Sequence, residues 1–125
     1  MVLNFFLAGV GGFLGSVARY GVTLAAKSLF SPAFPVGTLL VNALGCLAMG
    51  AAGGWLEKSG RLESPLFLLV CVGILGGFTT YSAYSWETML LVRDQQVGLA
   101  VLNVLGNLVL GLLAVSLGRY LVEGL

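Results

Sequence analysis

The sequence predicts an all-α integral membrane protein with four transmembrane helices, the third of them broken. Three observations predict it. First, 58% of the 125 residues are hydrophobic, 9% are charged, and mean hydropathy is +1.03. A soluble domain is roughly 45–50% apolar and about 25% charged, so these few charges cannot cover a water-facing surface. Second, apolar runs long enough to cross ~30 Å of hydrocarbon recur four times, with only short connectors between them. Third, one run carries glycines and then a cluster of hydroxyls in its middle, which a simple spanning helix does not need. A soluble enzyme, a nucleic-acid binder and a disordered tail are poor readings. The net charge of +1 gives no basic field for phosphate. The absence of His removes the commonest general base and metal ligand.

The spans, taken in order, form one domain over residues 1–125. The first is Leu3 to Leu24. It has no Lys or Arg before it and is longer than a signal-peptide core, so it reads as a retained helix. The second is Val36 to Leu56, after a connector with Pro32 and Pro35. The third is Pro65 to Val92, about 28 residues and more than one untilted span needs. Its Gly76-Gly77-Phe78-Thr79-Thr80 stretch predicts a break near 76–80. The fourth is Gly98 to Leu121. Glycines four apart (Gly11 with Gly15, Gly50 with Gly54, Gly73 with Gly77) let helix backbones approach closely in lipid. Cys46 and Cys71 read as small buried hydrophobes, with no disulfide framework.

The embedded polar residues fall on stripes. On the second helix Thr38, Asn42, Gly45 and Met49 share a face, and on the fourth Asn103, Asn107, Gly111, Ala114 and Gly118 do. Buried amides need partners, either as glue between helices or along a wet path. After the predicted break, Tyr81, Tyr84, Ser85 and Thr88 share one face, and Thr80, Tyr84 and Glu87 an adjacent one. A break exposes carbonyls at one half-helix and amides at the other, which suit cations and anions respectively. Arg19 and Glu87 are the two embedded ionisable groups, read either as a charged vestibule or ion pair or as interfacial anchors.

Charge barely selects an orientation. The side holding both termini and the second connector has Lys58, Arg61 and Arg119, and the other side has Lys27 and Arg93, plus Arg19 if it reaches out. Such a chain is suited to insert both ways and to pair with an inverted copy, an antiparallel dual-topology dimer.

At this point the chain resembles the Fluc/CrcB family of small fluoride channels over essentially its whole length. Gly11-Gly12-Phe13-Leu14-Gly15-Ser16-Val17-Ala18-Arg19-Tyr20 is similar to the family's GGxxGAxxRY. Gly37-Thr38-Leu39-Leu40-Val41-Asn42-Ala43-Leu44-Gly45 is similar to GTLxVNxxG, and Gly76 to Ser85 to GGxTTFSTFS. The resemblance implies a passive, fluoride-selective channel that exports cytoplasmic fluoride and confers fluoride resistance. It implies a multi-pass protein of the bacterial inner (plasma) membrane and no enzyme. It implies two inverted copies with two antiparallel pores, the partner being a second copy or a paralogue. It also implies a structural sodium ion at the dimer centre, held by the Gly76 and Thr79 carbonyls of both subunits. Carried over residue by residue, the anion path falls on Asn42, Thr80, Tyr81, Ser82, Tyr84, Ser85 and Asn107. Arg19 is placed at the pore entrance, Glu87 after the aromatic segment, and Asn103 above Asn107, with Thr38 as a further polar group of the vestibule. The chain departs from the family at Tyr81 and Tyr84, where the family usually has Phe, and at Ala83, where it has Thr.

Two other readings stay in view. A small dual-topology multidrug exporter would need a membrane-embedded carboxylate, and the first helix has no Asp or Glu. A structural subunit of a larger membrane complex would explain the glycines but not the hydroxyl-rich third segment. There is no GxxxxGK[ST] for a nucleotide.

Overall fold

In lipid a backbone amide finds partners only within the protein, so a long apolar stretch closes into helix. The computed structural model describes residues 1–124 and has four helices long and apolar enough to span. The first, α1, covers Val2–Leu29, and the second, α2, covers Val36–Lys58. The third span is assembled from pieces: α3 (Pro65–Phe67), a π-helical stretch Leu68–Leu75, α4 (Gly76–Phe78) and α5 (Tyr81–Arg93). The fourth, α6, covers Val97–Glu123.

The ends run past the apolar cores read from the sequence. α1 stops at Leu29 rather than Leu24, so Lys27 lies in its last turn, where a cation suits the carbonyl end. Pro32 and Pro35 then hold the connector out of helix. α3 starts on Ser64, whose hydroxyl accepts from the Phe67 amide, with Pro65 at the first helical position.

The break lies within the predicted range, but the glycines do not make it. Gly76 and Gly77 are helical, and the chain is extended at Thr79 (φ −76°, ψ 159°) and Thr80 (φ −151°, ψ 113°). Both threonines are suited to it. The Thr79 hydroxyl donates back to the Leu75 carbonyl at 3.1 Å, closing α4, while the Thr80 hydroxyl accepts from the Ala83 amide at 3.2 Å, opening α5. The glycines serve packing instead. A Cβ at Gly77 would lie 2.6 Å from the Gly12 carbonyl oxygen, and one at Gly11 would lie 2.8 Å from the Gly73 Cα. The π-helical stretch, which no feature of the sequence pattern predicts, lies directly before the break and packs on α1.

α2 packs most extensively on α6. A Cβ at Gly50 would overlap the Val115 carbonyl, and one at Gly118 would overlap the Leu47 carbonyl, so the two backbones meet at two heights. At one end of this pair Arg119 Nη2 meets Glu57 Oε2 at 3.2 Å. Few side chains are fully enclosed, among them Val41 and Leu56. The Leu, Val and Phe side chains of α1 and α6 point mostly outward, as lipid-facing surfaces do.

Candidate functional site

The interruption leaves backbone groups without helical partners deep in an apolar span, and one side chain of α2 takes them. Asn42 Oδ1 accepts from the Thr80 amide at 2.8 Å, and Asn42 Nδ2 donates to the Thr80 carbonyl at 3.2 Å. In an unbroken helix that amide would close on the Gly76 carbonyl. A backbone N–H can only donate, so this contact fixes which way the Asn42 amide faces.

The polarity then propagates. Asn42 Nδ2 also donates to Asn107 Oδ1 at 2.8 Å. Asn107 Nδ2 donates to the Asn103 carbonyl and to Asn103 Oδ1, both at 3.0 Å. Asn103 Nδ2 donates to Thr88 Oγ1 at 2.9 Å, and the Thr88 hydroxyl donates to the Tyr84 carbonyl at 2.8 Å. The two amide stripes thus form one directional ladder tying α2, α5 and α6 together. Asn103, 0% exposed, is its buried middle.

A groove of about 470 Å³ runs along the ladder. Its polar wall is Asn42, Thr79, Thr80, Tyr81, Tyr84 and Asn107. Its apolar continuation includes Cys46, Met49, Leu112 and Val115. The two tyrosine rings lie 5.5 Å apart at an interplanar angle of 53°. Tyr81 is 81% exposed, so this wall faces outward from the chain.

A second cavity of about 450 Å³ lies beneath the Phe30 to Pro35 connector, and Thr38, Glu87, Lys27 and Asp94 line it. The Thr38 hydroxyl donates to Glu87 Oε1 at 2.8 Å. Glu87 Oε2 is buried with no partner among the described residues.

The structure therefore sorts the residues singled out in the sequence. Asn42, Thr80, Tyr81, Tyr84 and Asn107 share the groove. Asn103 stands behind it rather than on its wall. Thr38 and Glu87 belong to the second cavity. Ser82 and Ser85 do not line the groove: the Ser85 hydroxyl returns to the Tyr81 carbonyl at 3.0 Å, and Ser82 pairs with Thr80 at 3.4 Å. Arg19, expected at a pore entrance or as a structural polar group, lies on α1 beside the break. Its Nη1 donates to the Thr79 carbonyl at 3.3 Å, so it braces the break from α1. Ser16 is a further brace, donating to the Gly77 carbonyl at 3.5 Å. Cys46, read as a buried hydrophobe, is half-buried on the groove wall, whereas Cys71 is buried. Its position one turn beyond Asn42 on α2 was the available signal.

Known proteins are similar to this chain over most of its length. The family model described as CrcB-like protein, Camphor Resistance (CrcB), matches residues 6–119. A fluoride-specific ion channel FluC of Paracoccus denitrificans is 46% identical over 122 residues, covering 98% of this chain and 96% of its own. One of Novosphingobium aromaticivorans is 44% identical over 117 residues, 92% of each chain. One of Thermus thermophilus is 42% identical over 117 residues, 94% of this chain and 91% of its own.

Proposed function

The chain belongs to the CrcB family, and on that premise we propose that it is a passive, fluoride-selective channel of the bacterial cell membrane. The observation that carries the reading is the interrupted third span, braced by Asn42, beside a groove walled by amides, hydroxyls and two aromatic rings.

Fluoride is small, strongly hydrated and a hard hydrogen-bond acceptor. A narrow path must replace its water with donors, yet hold it weakly enough to release it. Neutral amides and hydroxyls meet both demands better than fixed cations, and the edges of aromatic rings add partial positive charge. The weak acid of fluoride crosses membranes neutral and ionises in the less acidic cytoplasm. A passive path then lets the anion leave along its gradient, helped by an inside-negative potential.

We infer that two inverted copies assemble. An ion-bearing wall cannot face lipid, and the outward-facing Tyr81 and Tyr84 wall needs a cover. The nearly even distribution of Lys and Arg permits insertion both ways. A sodium ion between the copies, held by Gly76 and Thr79 carbonyls, fits the donor chemistry: carbonyl oxygens are hard ligands. The amide that would close on Gly76 is turned to Asn42, and the Thr79 carbonyl keeps a second lone pair beside Arg19. Bound there, the cation would add positive potential at the break and tie the copies together. The exporter alternative lacks its acid, since α1 has no Asp or Glu.

A fluoride electrode reading efflux from liposomes loaded with the purified chain tests the proposal. Fluoride efflux with chloride retained is the expected result. No efflux, or equal chloride efflux, would overturn it.

A further inference from the structure

Counting protons along the groove shows which donors remain for an incoming anion. Asn42 has two amide protons, one committed to the Thr80 carbonyl and one to Asn107. Asn107 commits both of its own to Asn103. The Thr79 hydroxyl is committed to the Leu75 carbonyl, and the Thr80 amide to Asn42. Thr80 and Ser82 share one hydrogen bond between their hydroxyls, and Thr80, itself buried, already accepts from the Ala83 amide. The Cys46 thiol on the same wall is a weak donor. One alcohol proton of the Thr80 and Ser82 pair is left over, and with it two phenols: the hydroxyls of Tyr81 and Tyr84 make no hydrogen bond among the described residues, and both side chains line the groove.

We propose that the Tyr81 and Tyr84 hydroxyls are the principal donors that take fluoride from water in this chain, and that they add to the preference over chloride that the aromatic rings themselves give. This rests on the channel reading above. The physical case has three parts. A phenol is a more acidic, hence stronger, donor than an alcohol. An anion at the groove can bond to a tyrosine hydroxyl without breaking the amide ladder, whereas reaching Asn42 means displacing Asn107 or the Thr80 carbonyl. The rings lie close enough, at 5.5 Å between centroids, for two hydroxyls to serve one path in succession. A hydroxyl bond to a compact, hard anion gains more than one to a large, diffuse anion, so these donors discriminate by acceptor strength as well as by size.

The test compares the wild-type chain with Tyr81→Phe, Tyr84→Phe and the double variant, each change removing one oxygen and keeping the ring. Calorimetric titration with sodium fluoride in detergent reads affinity, and liposome efflux reads fluoride against chloride. The double variant is expected to hold fluoride about tenfold more weakly, equivalent to about 1.4 kcal/mol. It should also discriminate less against chloride, and each single variant should fall between. Wild-type conduction with affinity and selectivity indifferent to both hydroxyls would overturn the tyrosine assignment and leave the channel reading standing. A wild type that neither binds nor passes fluoride would overturn both. A double variant that elutes aggregated leaves the two single variants to decide, by the same readouts.

Discussion

Replacing Asn42 with Leu separates a brace from a bystander. The two side chains share one branching pattern, Leu being the bulkier, so the change removes the hydrogen bonds while keeping the side chain's outline. Three groups lose their partner: the Thr80 amide, the Thr80 carbonyl and Asn107 Oδ1. In a buried site each orphaned group costs about 1–3 kcal/mol, which puts the upper range near 9 kcal/mol. Hydrogen bonds between membrane helices measure lower, about 0.6–2 kcal/mol each, because the chain finds substitutes. Thr80 has few substitutes, since it is buried and extended on both sides of its peptide. We therefore expect a loss of about 2–4 kcal/mol. Thermal unfolding in detergent should fall by several degrees, and fluoride efflux from liposomes should drop at least tenfold at equal protein. Asn42→Asp refines the test. It keeps an acceptor for the Thr80 amide but offers no donor to Asn107 and adds negative charge in an anion's way. The Asp variant also sets a carboxylate against the Thr80 carbonyl and Asn107 Oδ1, so it should be no better folded than the Leu variant and should conduct poorly. An Asn42→Leu protein with wild-type unfolding and wild-type flux would refute the bracing role outright.

Other expectations follow from single contacts. Gly45→Ala places a Cβ inside the Thr79 methyl and 3.2 Å from the Phe78 ring. The break must shift, so efflux should be lost with the chain still inserted. A conducting Gly45→Ala protein would show that the groove tolerates the movement. Glu87→Gln keeps the Thr38 bond and removes a carboxyl oxygen that has no partner among the described residues. Fluoride efflux should rise several-fold if anions pass that cavity, and an unchanged rate would place Glu87 off the route. Arg19→Leu strips the Thr79 carbonyl of its charged donor and should cost about 1–3 kcal/mol in detergent unfolding. A change below a few tenths would make Arg19 an interfacial anchor after all.

The four spans were legible because the membrane imposes one length and one polarity on every span. The groove was legible too, since Asn42 and Asn107 are amides in hydrocarbon and had to meet something. The exact break was not. Glycine signals both close packing and a bend, and here Gly76 and Gly77 stay helical while Thr79 and Thr80 part the chain. The π-helical stretch left no trace in Leu68–Leu75, which is apolar throughout and carries no cap. The partner of Arg19 was illegible for a different reason. Its place in the last turns of the first helix left a vestibule, an ion pair and an anchor open, and the carbonyl it meets is one that only the broken third span exposes. Ser82 and Ser85 were placed on the anion path by the family resemblance, and a motif does not tell a hydroxyl facing a path from one bonded within its own segment.

Arg19 also changes the orientation count, and with it the sharpest test of the inverted pair. With its guanidinium on the Thr79 carbonyl, it belongs to neither surface. Lys58, Arg61 and Arg119 then oppose Lys27 and Arg93, three against two. Orientation depends on Lys and Arg rather than on net charge, so the ion pairs of Arg119 with Glu57 and Glu123 do not remove it from the tally. A bias of one charge is small enough for a few substitutions to override. Ser59→Lys with Glu63→Lys adds two positive charges to the second connector and should fix one orientation. Replacing Lys58 and Arg61 with Ser should favour the other. Each biased chain alone should lose fluoride efflux, because no inverted partner remains to cover the Tyr81 wall. Co-expression of the two should restore it. Full efflux from either biased chain by itself, with its single orientation verified by protease or cysteine accessibility, would refute the antiparallel dimer and require the groove to be closed within one orientation.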